Sequence, residues 1–125
     1  MSEIESLLDE IATWLKAAGV HLERRPSRFD EAPAKLVFTP NRGSLPEAIY
    51  QIEAFPPLRD GGDWVLDLDA LSIGQTIPIL RRGDEWNLVV KAESDVRRYV
   101  DVPLTKESLI NSIEEMTATL LGEAA

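Results

Sequence analysis

The hydrophobic period changes twice along this chain, and that change most constrains its fold. Near the start, Ile4, Leu7, Leu8, Ile11, Leu15 and Ala18 recur at three- and four-residue steps, one apolar stripe of a helix. Ser2 can cap this helix while Glu5 returns the bond, and Gly19 suits its left-handed stop. Near the end, Leu109, Ile113, Met116 and Leu120 repeat the pattern, with Ile110, Thr117 and Leu121 beside them and Gly122 after. Here Thr105 is the capping residue, and Leu104 and Leu109 staple the entry. Between the helices the step falls to two. Trp64, Leu66, Leu68 and Ala70 alternate with Asp63, Val65, Asp67 and Asp69, and Ile77 and Ile79 with Thr76, Pro78 and Leu80. Trp86, Leu88 and Val90 alternate with Asn87, Val89 and Lys91, and Val100 and Val102 with Tyr99 and Asp101. Such alternation marks antiparallel strands with one buried face.

Turn chemistry sets the register. Gly83-Asp84 suits a two-residue type II′ hairpin, which pairs Ile79 with Leu88 and Ile77 with Val90. A three-residue turn over residues 93–95 then pairs Leu88 with Val100 and Val90 with Arg98, leaving Arg98 a misfit among apolar partners. A slip of one residue scrambles both pairings. Upstream, "AKLVFT" reads as a strand. The stretch "EAIYQIEAF" alternates at Ala48, Tyr50, Ile52 and Ala54 but also fits a short helix through Ile49, Ile52 and Phe55. We read it as strand, because "FPPLRDGG" follows as a loop returning to Trp64. The segment "ERRPSRFDEAP" reads as loop, with His21 an exposed loop residue before it. The expected architecture is one α+β domain: a curved antiparallel β-sheet, a meander, flanked by the N-terminal and C-terminal amphipathic helices on one side.

Composition narrows the function classes. The 125 residues carry a net charge of −9, which argues against nucleic acid as a partner. No apolar run approaches the ~18 residues a membrane span requires, and no signal-type segment opens the chain. A cytoplasmic protein is therefore expected, in keeping with the absence of cysteine. Charge is uneven: residues 16–42 hold an excess of three positive charges, and Arg24, Arg25 and Arg28 are candidates for electrostatic steering of a partner.

Catalytic signals are sparse. His21 has no metal-ligand spacing, no serine lies in a Gly-x-Ser-x-Gly context, and neither "DGGD" nor "NRGS" has phosphate-loop spacing. Asp67 and Asp69 are the best chemical candidates. Two apart on a strand, they share a face with Cα atoms ~6.5–7 Å apart, a separation suited to an acid/base pair or a divalent cation. Their apolar strand partners point to the opposite face, which favours a solvated acidic strand over a metal-dependent or acid/base enzyme. No catalytic residue, cofactor or metal is expected.

The same register places an apolar patch beside these aspartates. Asp69 lines up with Thr76 and Lys91, Asp67 with Pro78, Val89 and Tyr99, and Val65 with Leu80, Asn87 and Asp101. Val65, Pro78, Leu80, Val89 and Tyr99 thus form an apolar surface on the side away from the core, of the kind that contacts another protein. Pro78, which cannot donate to a ladder, points to a bulge or to an edge strand open to a second chain.

The Gly-terminated first helix, the strand "WVLDLDA", the hairpin "IPILRRGDEWNLVVKAE" and the final "PLTKESLINSIEEM" together resemble the type III secretion chaperone-like fold in layout. In that family a longer second helix stands between the third and fourth strands, where this chain has only "LSIGQ". The resemblance implies a non-catalytic homodimer that holds a partner protein in an extended state, and it assigns no residue roles. The function expected is a non-enzymatic, chaperone-like protein-binding module. Its partner is another protein, in an extended segment or as a second copy, and neither nucleic acid nor a membrane.

Overall fold

The computed structural model describes residues 2–39, 49–71, 73–92, 95 and 97–120. The expectations for residues 41–44, 93–94, 96 and 121–122, for Ala48, and for the side chain of Leu120 lie outside them. Two helices, α1 (Glu3–Ala17) and α2 (Lys106–Leu120), flank seven strands. The strands are β1 (His21–Arg25), β2 (Lys35–Thr39), β3 (Tyr50–Phe55), β4 (Val65–Ala70), β5 (Gln75–Arg82), β6 (Glu85–Lys91) and β7 (Tyr99–Pro103). They lie in sequence order in one antiparallel sheet, each strand paired with its neighbours in the chain.

Ser2 and Gly19 start and stop α1 as expected, but among the described residues the Glu5 carboxylate does not return the bond to the Ser2 N–H. The Ser2 hydroxyl accepts from the Glu5 N–H at 3.2 Å, satisfying one free helical donor. At the other end Gly19 takes φ 79°, and the Gly19 and Val20 N–H groups return to the Lys16 and Leu15 carbonyls at 3.0 and 3.1 Å, a Schellman closure. Entry into α2 is capped reciprocally. Thr105 Oγ1 accepts from the Ser108 N–H at 3.0 Å, while Ser108 Oγ accepts from the Thr105 N–H at 2.9 Å.

Both helical stripes enter one core. Ile4, Leu8, Ile11 and Leu15 from α1, and Leu109, Ile113 and Met116 from α2, pack with Leu36, Phe38, Ile52, Leu66, Leu68, Ile79 and Leu88 from the inward sheet face. Phe38 and Tyr50 stack at 5.6 Å in this layer, and the Tyr50 hydroxyl shares a 2.7 Å hydrogen bond with Thr117 of α2. Arg81 ties the start of α1 to the sheet through two 2.8 Å bonds to the Glu3 carboxylate.

The Gly83-Asp84 hairpin forms as read. Gly83 sits at φ 63°, Asp84 stays at negative φ, and Ile79 faces Leu88. The β4–β5 register also matches, with Leu68 opposite Ile77. Three expectations are corrected. The region read as loop from residue 23 begins with the edge strand β1, which includes His21, Arg24 and Arg25. Its single inward apolar residue, Leu22, gives alternation too little signal, and the next inward position is taken by Arg24. The β6–β7 register is shifted by two residues, so Leu88 faces Val102 and Val90 faces Val100. The connecting loop is longer than a three-residue turn, closing where the Ala92 N–H donates to the Arg98 carbonyl at 2.9 Å. A two-residue shift keeps every side chain on its face, so apolar still meets apolar, and Arg98 falls outside the strand and exposed. Finally, Pro78 lies neither at a ladder bulge nor on an edge strand. It pairs with Asp67 in continuous register inside β5, a central strand.

Candidate functional site

The outward sheet face divides into a covered part and an open part. The covered part lies under the chain between β1 and β2. This strap is fastened by Arg28, whose Nε and Nη2 donate to Glu53 Oε1 at 3.2 and 2.9 Å. The Arg28 N–H and the Ser27 hydroxyl donate to Glu53 Oε2 at 3.3 and 3.1 Å. Phe29 packs on Phe55 at 5.1 Å between ring centres, and the guanidinium lies 5.2 Å from the Phe55 centroid. Glu53 is fully buried beneath this clasp. Burial alone would raise its carboxyl. The hydrogen bonds from Arg28 and Ser27, with the Arg28 charge, outweigh it and hold Glu53 below the ordinary carboxylate range. The same bonds raise the Arg28 guanidinium above its ordinary value.

Asp67 stands opposite Glu53, and Asp69 opposite Gln51. Asp69 is well satisfied, accepting from Thr76 Oγ1 at 2.7 Å and from Gln51 Nε2 at 3.3 Å. Asp67 is half-buried and accepts no hydrogen bond among the described residues. Burial raises its carboxyl first, and the charges of Asp69 and Glu53 add to that, against a lowering pull from Arg28. Asp69 thus keeps a partly solvated place on the outward face, whereas Asp67 departs from the expected solvated face. The sequence reading missed Glu53, because its clasp partners lie 25 and 26 positions away and no local pattern joins them. The outward phase of "YQIEAF" placed the carboxylate but not its cation.

Val65, Pro78, Leu80 and Val89 share the open part and are half-buried, while Tyr99 is 62% exposed. Their rows differ from the expected ones. Val89 faces Asp101 rather than Tyr99, and Tyr99 faces Lys91. Leu80 faces Asn87, which in turn faces Pro103 rather than Asp101. Arg82 donates to Asp101 at 3.2 Å and closes the rim of the patch.

Each candidate steering arginine has a carboxylate partner. Arg24 meets Asp9 of α1 at 2.9 Å, Arg25 meets Glu23 at 2.8 Å and Arg28 meets Glu53. These pairs tie the three arginines to carboxylates of the same chain. Among the described residues, no three His, Cys, Asp or Glu side chains gather as a metal-ligand group, and no helix is long and apolar enough to cross a membrane.

One feature has no counterpart in the sequence reading. A groove of about 740 Å³ opens between the first half of β5, the second half of β6, β7 and α2. Ile77, Val90, Val102 and Met116 give it an apolar floor, and Ser112 and Glu115 line it from the helix. A smaller hollow of about 150 Å³ lies by the Arg81–Glu3 pair. No family model, no curated protein and no solved structure matches the chain.

Proposed function

We propose that this chain is a non-enzymatic protein-binding module of chaperone-like type, acting in the cytoplasm as a homodimer on an extended segment of another protein. The observation that carries the proposal is the incomplete coverage of β5–β7. Apolar side chains there are half-exposed on both faces, and β7 is the last strand of the sheet, with no strand beyond it among the described residues. A sheet edge beside an apolar face offers main-chain hydrogen bonds for affinity and pockets for alternate side chains. The helix–sheet–helix order, with its likeness in layout to the type III secretion chaperone-like fold, supports the same reading. So does the pairing of every candidate steering arginine, which leaves apolar contact as the main attraction on offer.

Light scattering across a concentration series tests the dimer. The expected result is twice the chain mass for the wild type and the monomer mass for Leu80→Ser and Tyr99→Ser, each with an unchanged circular dichroism spectrum. A monomer at every concentration overturns self-association. A second reading, a small metal-dependent or acid/base enzyme, rests on the raised carboxyl of Asp67 beside Asp69. Calorimetric titration with magnesium, manganese and calcium decides it, since heats lost on Asp67→Asn with Asp69→Asn support it and flat traces remove it.

A further inference from the structure

The groove beside α2 opens where the β5–β6 ladder ends, and Pro78 is the residue at which it ends. A two-residue hairpin loop closes on a hydrogen-bonded pair, so Arg82 and Glu85 exchange bonds across the Gly83-Asp84 turn. Alternate residues follow suit. Leu80, Pro78 and Thr76 aim their backbone groups at β6, while Asn87, Val89 and Lys91 aim theirs at β5. Bonds on the far side of β6 agree with this phase, for the Trp86 carbonyl accepts from Leu104 and the Ala92 N–H donates to Arg98, both at 2.9 Å. Pro78 therefore stands where an N–H should meet the Val89 carbonyl, and it has none to give. The ladder stops at Ile79 opposite Leu88. Thr76 and Lys91, the next hydrogen-bonding pair in this phase, are left unpaired with each other although both are strand residues.

Unpaired strand backbone beside an apolar floor is a template for another strand. We propose, building on the protein-binding reading above, that this gap is a slot for an extended peptide. Its backbone bonds to Thr76 and Lys91, and its alternate apolar side chains enter the floor formed by Ile77, Val90, Val102 and Met116. Charge complementarity fixes the rest of its chemistry. Lys91 also lines the groove, but its alternation with Val90 directs its side chain to the opposite sheet face, and the ionisable side chain on the helix wall is Glu115. Glu115 is exposed and has no ion pair among the described residues. In a chain of net charge −9, the occupant is an apolar-alternating segment bearing lysine or arginine.

Fluorescence anisotropy with labelled synthetic peptides tests the slot. The probe is a short acetylated peptide of alternating valine and threonine with lysine at each end. Its controls are the same peptide with glutamate for lysine and one with N-methyl groups on alternate amides. Saturable binding of the lysine peptide is expected, with loss of about tenfold or more for either control. Glu115→Gln, on an exposed helix position, should weaken binding roughly fivefold without altering the melting temperature. Equal binding by the N-methylated peptide, or no effect of Glu115→Gln, overturns the slot. Peptide binding that survives Glu115→Gln but disappears with Leu80→Ser, outside the groove, overturns the slot and leaves the binding module standing. No peptide binding, together with a monomer at every concentration, overturns both.

Discussion

The β2–β4 and β5–β7 halves of one meander obey the same alternation yet end in different states. Five of the six β3 residues are buried, Gln51 and Glu53 among them, whereas β7 alternates between half-buried and exposed. Coverage makes the difference. The first half is sandwiched between the helices and the strap pinned by Arg28 and Phe29. Among the described residues the second half has no strap; only α2 and the first turn of α1 lie over it, on one face, and a groove intervenes there. Alternation says which side chains share a face, and leaves open whether a second layer covers that face. Stability should therefore concentrate in the first half, and the capacity to bind in the second.

Truncating one inward residue from each half tests this division most directly. Leu68→Ala, at a fully buried site, should cost about 3 kcal/mol in a denaturant titration, the loss of transfer energy plus a cavity. Val102→Ala, at a half-buried site, should cost about 1 kcal/mol, since solvent already reaches it. Equal losses would erase the contrast.

A smaller effect is expected from the clasp. Arg28→Ala leaves the Glu53 carboxylate buried without its cation, and should lower the melting temperature at neutral pH. The full penalty for breaking a buried pair is reduced because Arg28 itself is largely solvent-exposed and Ser27 remains. The pH dependence has a definite sign. A carboxyl held below its ordinary 4.5 in the folded state adds stability above 4.5, which is lost as pH falls through the folded value. Wild type and Arg28→Ala should therefore converge in melting temperature at acid pH. Arg28→Met with Glu53→Leu should recover most of the loss, and a double variant as unstable as the single one would assign the cost to the strap rather than to the buried charge.

These outcomes also measure what the sequence could convey. Helix boundaries were legible because Ser2, Gly19 and Thr105 act within a few residues of themselves. The β5–β6 hairpin was legible because its turn residues and apolar pairs demand one register. The β6–β7 register was not, because sliding Val102 into the place of Val100 opposite Leu88 preserves every face. Strand β1 was hidden because "HLERR" reports pairing through backbone and ion pairs rather than apolar alternation. Glu53 escaped for a deeper reason, its clasp lying 25 positions upstream in a segment with no regular period. Pro78 was recognised as an anomaly, but its consequence depended on which neighbour its missing N–H would have faced.

The gentlest probe of the boundary between the halves is Asp67, where the strap's charges end and the open patch begins. Its folded-state carboxyl is raised above the ordinary 3.8, so the native state holds its proton more tightly than the unfolded chain does. Such a group contributes stability below 3.8 and loses it as pH rises through the raised folded value, leaving a cost at neutral pH. Asp67→Asn removes a half-buried charge from beside Glu53 and Asp69 while keeping its shape. It should raise stability at pH 7, with the gain vanishing below pH 3.8. A matched pair of melting curves at neutral and acid pH checks this. An unchanged neutral melting temperature would mean that Arg28 already compensates Asp67 as well as Glu53, and that the covered half extends one strand further than its burial suggests.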